Sequence, residues 1–155
     1  MNEKELVKLK EKIAKEGNII FLMKDGFPCF ILRPHYLFKM SKYKDNNLNF
    51  FHLCGYVGVS RDNVFFKKLC SDLSFKVHGG LTFEGKLFVC EDFWFFGFDC
   101  AHARDLSFLN EHDHFFDNEM ETYKDVDFVK KEIFSLVEQI KNYKKGENDE
   151  TNRRN

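Results

Sequence analysis

The chain has 155 residues, enough for one domain that buries roughly two-thirds of its unfolded surface without metals or disulfides to hold it. Its 24 Lys and Arg stand against 25 Asp and Glu, which leaves no global field for duplex nucleic acid, whose non-specific binding needs several cationic contacts to phosphates. Five cysteines (Cys29, Cys54, Cys70, Cys90, Cys100) form an odd set without CxxC spacing, which argues against a disulfide framework and a Cys-rich zinc site.

From the start of the chain, Asn2 followed by Glu5 has the form of a capping box, and Leu6, Leu9 and Ile13 recur at helical spacing until Gly17. An amphipathic helix is predicted over residues 3 to 16. Asn18–Met23 and Phe27–Arg33 read as two strands joined by a tight Asp25-Gly26 turn, with Pro34 ending the second. The polar stretch 39–49 is a predicted loop. Phe50–Val59 is a predicted strand in which Gly55 and Gly58 mark a bulge or a close backbone approach.

Val64–Leu73 has the apolar spacing of a short helix. Val77–Phe83 and Phe93–Cys100 are the two central strand candidates, with a shorter one at Leu87–Cys90 between them. Asn110–Glu121 is acidic, contains His112 and His114, and reads as loop. Asp125 caps a long helix whose Val126, Val129, Ile133, Leu136, Val137 and Ile140 form one apolar stripe. Residues 1–146 are thus expected to make one α+β domain, an antiparallel or mixed sheet flanked by N- and C-terminal amphipathic helices, followed by a disordered polar tail over 147–155. Met1-Asn2-Glu3-Lys4-Glu5 lacks the apolar core of a signal peptide, and no apolar run approaches the ~18 residues of a membrane span, so a cytoplasmic protein is expected.

Two stretches carry the residues capable of chemistry. Gly79 and Gly80 weaken an otherwise β-branched strand, which invites a ligand or another backbone to approach, and His78 beside them can donate or accept a hydrogen bond near neutral pH. Asp99, His102 and Asp105 recur every three residues where an aromatic strand runs out, a place that presents polar groups on a fixed support. Whether the stretches meet depends on register. A tight hairpin at Glu84-Gly85-Lys86 would pair residues whose numbers sum to about 170 and keep His78 and Asp99 ~23 Å apart. A longer excursion over 84–92 moves the sum to about 177, sets His78 opposite Asp99 and places Thr82 near Phe95. Glu91-Asp92 interrupts the apolar run before Phe93, which favours the longer excursion.

Cys54-Gly55-Tyr56-Val57-Gly58-Val59, Val77-His78-Gly79-Gly80-Leu81-Thr82-Phe83, Trp94-Phe95-Phe96-Gly97-Phe98-Asp99-Cys100-Ala101-His102 and Asp127-Phe128-Val129 together resemble a family of small phage and prophage proteins usually labelled hypothetical. The resemblance runs from about residue 51 to 140. It implies a viral setting and the host bacterial cytoplasm, and brings no mechanism with it.

Three expectations follow. The first is capture of a host nucleotide-derived immune signal, such as an ADP-ribose derivative or a cyclic dinucleotide. Tyr56 and Trp94 would stack on the base, backbone N–H groups at Gly79 and Gly80 would meet phosphate, Arg61 or Arg104 would pair with it, and Thr82 and Asp105 would complete the contacts. The second is hydrolysis of the same ligand class by His78, Asp99 and His102, with or without a divalent metal, Cys100 being a weaker candidate nucleophile. The third is a protein-binding inhibitor acting through the stripe of a terminal helix; the Phe surplus is also compatible with a homo-oligomer. His35, His52, His112 and His114 receive no role.

Overall fold

The computed structural model describes residues 2–34, 48–87, 90–110 and 121–143. The predicted helix forms as α1, Glu3–Glu16, and its capping box closes in both directions: the Glu5 N–H donates to Asn2 Oδ1 at 3.0 Å and the Asn2 N–H donates to Glu5 Oε2 at 2.8 Å. These bonds satisfy two donors that a helix start otherwise leaves open. The hairpin of β1 (Ile19–Lys24) and β2 (Phe27–Leu32) turns at Asp25 and Gly26, both at positive φ (50° and 83°), which is what a two-residue turn matching the strand twist demands.

After β3 (Leu48–Phe50) come β4 (Cys54–Val59), β5 (Phe83–Leu87), β6 (Cys90–Asp99), β7 (Phe108–Asn110) and α2 (Val126–Lys141). The main sheet has five strands in the order β1-β2-β4-β6-β5, every neighbouring pair antiparallel, and β3 pairs with β7 in a small second sheet. This is the α+β architecture expected. On one face α2 lays Val129, Ile133, Leu136, Val137 and Ile140 against Ile31, Val57, Phe96 and Phe98. Asp125 caps the helix by accepting the Phe128 N–H at 2.9 Å. The other face carries Phe30, Leu32, Cys54, Tyr56, Leu87 and Phe95. The period of two along each strand sorts the side chains, so that β6 sends Phe96 and Phe98 to α2 and Phe95 to the opposite side.

Gly55 supports this packing directly. It pairs with Phe98, and a Cβ there would lie 2.5 Å from the Phe98 ring and 3.0 Å from Val129. The close approach expected at this glycine is therefore a ring laid across bare backbone. Gly55→Ala is expected to cost roughly 1–3 kcal/mol through overpacking, measured as a fall in the urea unfolding midpoint at unchanged m-value.

A buried cation ties α1 to the sheet. Arg33, 3% exposed at the end of β2, meets Glu16 Oε2 at 3.0 Å and the Tyr123 hydroxyl at 3.1 Å, and it donates to the carbonyls of Phe51 and Gly17. Tyr123 donates to the same Glu16 oxygen, and burial pushes its phenol pKa up. Because α1 buries no residue fully, this network is the firmest polar attachment of the helix among the described residues.

Several predicted boundaries are corrected. Val64–Leu73 is a series of turns ending in a 3-10 turn at Cys70–Asp72: Asn63 Oδ1 accepts the Phe65 N–H, and Lys67 at φ 62° breaks any helical run. Leu48–Asn49 belong to β3 where loop was expected, and residues 51–53 leave the ladder between β3 and β4. Asn110 closes β7, while residues 111–120 of the acidic stretch, His35, most of the predicted 39–49 loop and the 147–155 tail lie outside the described residues.

The central register is also different. Phe83 faces Gly97 and Leu87 faces Cys90, with a bulge between Gly85 and Leu87, so Leu87 ends β5 and Cys90 opens β6, while residues 88 and 89 of the expected short strand lie outside the described residues. The chain runs through Glu91-Asp92 as strand. Both can do so because their side chains are exposed, and the interruption of the apolar run has no consequence for pairing.

Candidate functional site

Val77–Thr82 is not a strand. The Gly80 N–H donates to the Val77 carbonyl at 3.0 Å, and Gly79 and Gly80 sit at φ 67° and 86°, a left-handed pair that turns the chain before it joins the sheet at Phe83. The segment is held along α2 instead. The Gln139 side chain accepts the Lys76 N–H and donates to the Lys76 carbonyl, both at 2.7 Å, and Glu132 accepts the His78 N–H at 2.7 Å. Phe128, one helical turn before Glu132, meets the His78 ring edge-on at 5.2 Å. Residues 128, 132 and 139 share one stripe of α2, so the helix fixes the height and orientation of His78.

His78 does not face Asp99. Its Nε2 lies 2.7 Å from Asp105 Oδ2, and Asp105 is buried while 22% of the His78 side chain remains exposed. Asp105 Oδ2 also accepts the His102 N–H at 3.0 Å, the Asp105 N–H donates to the His102 carbonyl at 2.9 Å, and Lys124 Nζ stands 3.8 Å from Oδ1. The carboxylate thus closes a turn and steers an imidazole at once. With Nε2 engaged as donor to a carboxylate, Nδ1 is the ring nitrogen with the open lone pair, and no described residue bonds to it.

Asp99 stands near the neighbouring histidine without a hydrogen bond to its ring. Its Oδ1 accepts the Ala101 N–H at 3.1 Å and lies 3.5 Å from His102 Nε2. The His102 ring centroid is 5.6 Å from that of His78, and the ring lies against Gly79, where a Cβ would fall 1.8 Å from Nε2. Glycine at 79 is therefore required twice, by its φ and by the imidazole laid on it. His78, Gly79, Asp99, His102 and Asp105 do form one cluster, in which Asp105, expected as a ligand contact, holds His78, and Asp99, expected opposite His78, lies beside His102. Gly80 belongs to the same turn. Arg104 is exposed at φ 73° between His102 and Asp105, and its carbonyl accepts the Thr122 N–H.

The remaining expected residues lie elsewhere. Tyr56 is buried against Phe83 and over Gly97, and burial pushes its phenol pKa up, so it has no face to offer a base. Trp94 is five residues from Asp99 along β6, ~16 Å, and its indole N–H donates to the Lys68 carbonyl. Arg61 pairs with Asp92 near the same distant end. Thr82 is exposed and bonded through its N–H to the Gly97 carbonyl, away from Phe95. Burial pushes the Cys100 thiol pKa up, which disfavours the nucleophilic thiolate. Among the described residues no three His, Cys, Asp or Glu side chains are arranged to hold a metal ion; His78 and Asp99 do not converge as the expected ligand set requires. A cavity of about 340 Å³ lined by Phe65, Leu73, Phe75 and Tyr143 lies toward the far end of α2 and contains none of the expected residues.

Sequence reasoning missed Lys124, Glu132 and His52. The first two act through α2 or just before it, and their spacing along that stripe was the available signal. His52 precedes β4, and burial pushes its imidazole pKa below the ordinary 6.5 against the opposing pull of Asp99 and Asp105. The unfolded chain therefore binds a proton that the folded chain resists. The resulting stability is complete above the unfolded value and declines as pH falls below about 6.5. Urea midpoints measured from about pH 7.5 to pH 5.5 are expected to fall, and His52→Gln to flatten that decline.

Compared with family models, with curated proteins and with solved structures, the chain matches none of them. No helix among the described residues is long and apolar enough to cross a membrane. The chain has an α+β fold with a five-stranded antiparallel sheet and helices at either end of its topology.

Proposed function

We propose that this is a phage protein that binds a small nucleotide-derived molecule at the His78 cluster, capturing a host immune signal. The observation that carries the reading is the 2.7 Å pair of a partly exposed His78 with a buried Asp105, set beside a left-handed glycine pair. A carboxylate sunk behind an imidazole makes the ring a fixed polar contact, and the neighbouring N–H of Gly79, which bonds no described residue, is open to an anionic oxygen. Lys124 supplies an ammonium 3.8 Å from Asp105. The viral setting rests on the motif resemblance. Aromatic stacking by Tyr56 and Trp94 is no part of this reading.

The test is thermal shift and calorimetry with a panel of cyclic dinucleotides and ADP-ribose derivatives. A ligand at about 100 times its Kd should stabilise the wild type by roughly 2.7 kcal/mol and His78→Ala far less. A panel that stabilises neither protein, or both equally, would remove the proposal.

A second reading is cleavage of the same ligand, supported by the tautomer that Asp105 imposes. With Nε2–H committed to the carboxylate, Nδ1 is oriented to accept a proton from an attacking hydroxyl or water. Chromatography of the ligand after incubation separates the readings: intact ligand retained by the wild type supports capture, and His78-dependent conversion supports catalysis.

A further inference from the structure

The two edges of the main sheet are built differently. The β5 edge, Phe83-Glu84-Gly85-Lys86-Leu87, carries two charges, a glycine and a bulge, the usual devices that discourage strand addition. The β1 edge, Ile19–Lys24, has none of them before Lys24, and Ile19, Phe21 and Met23 are 54%, 57% and 56% exposed on one face. From this edge we infer that the protein is a twofold dimer in which β1 pairs antiparallel with β1 of a second copy, joining two five-stranded sheets into one.

Backbone parity supports the inference. Asn18 accepts the Arg33 N–H at 2.9 Å, and the register pairs Ile20 with Ile31 and Leu22 with Cys29. Bonds alternate along an antiparallel ladder, so residues 18, 20, 22 and 24 direct their N–H and C=O groups to β2, while Ile19, Phe21 and Met23 direct theirs to the open edge. The same three residues carry the exposed side chains. Pairing Phe21 with Phe21 of the second copy sets Ile19 opposite Met23 in both directions. All six outward N–H groups, three from each copy, then find carbonyls, and the six exposed apolar side chains fall on one face.

The aromatic row on that face points the same way. Phe95 meets Phe30 at 5.7 Å and Phe30 meets Phe21 at 5.1 Å, so a chain of rings crosses the sheet from its buried interior and ends in the open at the edge. A second Phe21 would continue it. Charge does not oppose the register, which sets Lys24 beside Asn18 and Asp25 beside Gly17 of the other copy. A foreign strand could use the backbone groups, but about a Phe21–Phe21 twofold a second copy meets every outward N–H with a carbonyl and sets the exposed apolar side chains of Ile19, Phe21 and Met23 opposite apolar ones.

Size-exclusion chromatography with light scattering on the full chain tests this, with an expected mass about twice 18.5 kDa. Phe21→Lys places two ammonium groups at the twofold axis and should raise the dimer dissociation constant at least ~100-fold, with circular dichroism unchanged. Two double variants read the register. Ile19→Lys with Met23→Glu should remain dimeric, because each Lys faces a Glu of the other copy, and Ile19→Lys with Met23→Lys should be monomeric. A monomeric wild type, a dimer that survives Phe21→Lys with its fold intact, or identical behaviour of the two double variants would overturn the inference.

Discussion

Arg33→Met is expected to destabilise the protein by roughly 3–5 kcal/mol, the largest loss from any single polar residue described above. The substitution keeps an unbranched side chain of similar length and removes the charge. Glu16 is then left nearly buried beside Tyr123, with the carbonyls of Phe51 and Gly17 deprived of their donor. Most of the cost comes from the stranded carboxylate, because a buried ion pair itself contributes little beyond what an apolar pair of the same shape would give. The double variant Glu16→Gln, Arg33→Met should therefore be more stable than Arg33→Met alone. Urea unfolding of both proteins at pH 7 measures the difference, and a single-variant loss below about 1 kcal/mol would show that water reaches Glu16 and solvates it. The loss should be accompanied by reduced helicity, since α1 has no fully buried side chain to hold it once its C-terminal anchor is gone.

That anchor was not legible in the sequence, and the reason separates what local pattern can tell from what it cannot. The Asn2–Glu5 box, the Asp25-Gly26 turn and the Asp125 cap each act within four residues, and all three were read correctly from side-chain chemistry alone. Arg33, Glu16 and Tyr123 are brought together by the return of the chain to the sheet, and no spacing announces it. The same distinction governs the candidate site. Asp99, His102 and Asp105 were visible as a three-residue recurrence, and His78 as a histidine beside two glycines. Which carboxylate serves which imidazole depended on whether Val77–Phe83 stayed in the ladder. The glycine pair was read as a weakness within a strand, but two consecutive left-handed residues keep Val77–Thr82 out of the ladder and leave His78 held along α2. Aromatic composition misled in a different way. Tyr56 and Trp94 have the right rings for stacking, but alternation along β4 and β6 places one inside and the other at the far end, and only the sheet order reveals this.

Asp105 gives the sharpest separation of architecture from chemistry. Asp105→Ala should cost about 3 kcal/mol, since it leaves the His102 N–H without its acceptor and Lys124 without its nearest counter-charge, and it should abolish ligand stabilisation along with the turn. Asp105→Asn is nearly isosteric and has one carbonyl oxygen and one NH₂ group where the carboxylate had two acceptors. Because Oδ2 receives both the His102 N–H and His78 Nε2, an amide oxygen placed there keeps both contacts as neutral hydrogen bonds, and the NH₂ group takes the Oδ1 position toward Lys124. The turn and the tautomer survive, and only the charge is removed. The expected result is an unfolding midpoint modestly below that of the wild type, since Lys124 loses its counter-charge, a ¹⁵N signature that keeps the His78 proton on Nε2, and loss of whatever binding or turnover depends on a charged carboxylate behind the imidazole. A function that survives the loss of charge would reduce Asp105 to a residue that holds the turn and the ring, and any anionic ligand would then have to find its positive partner in Lys124 or His102.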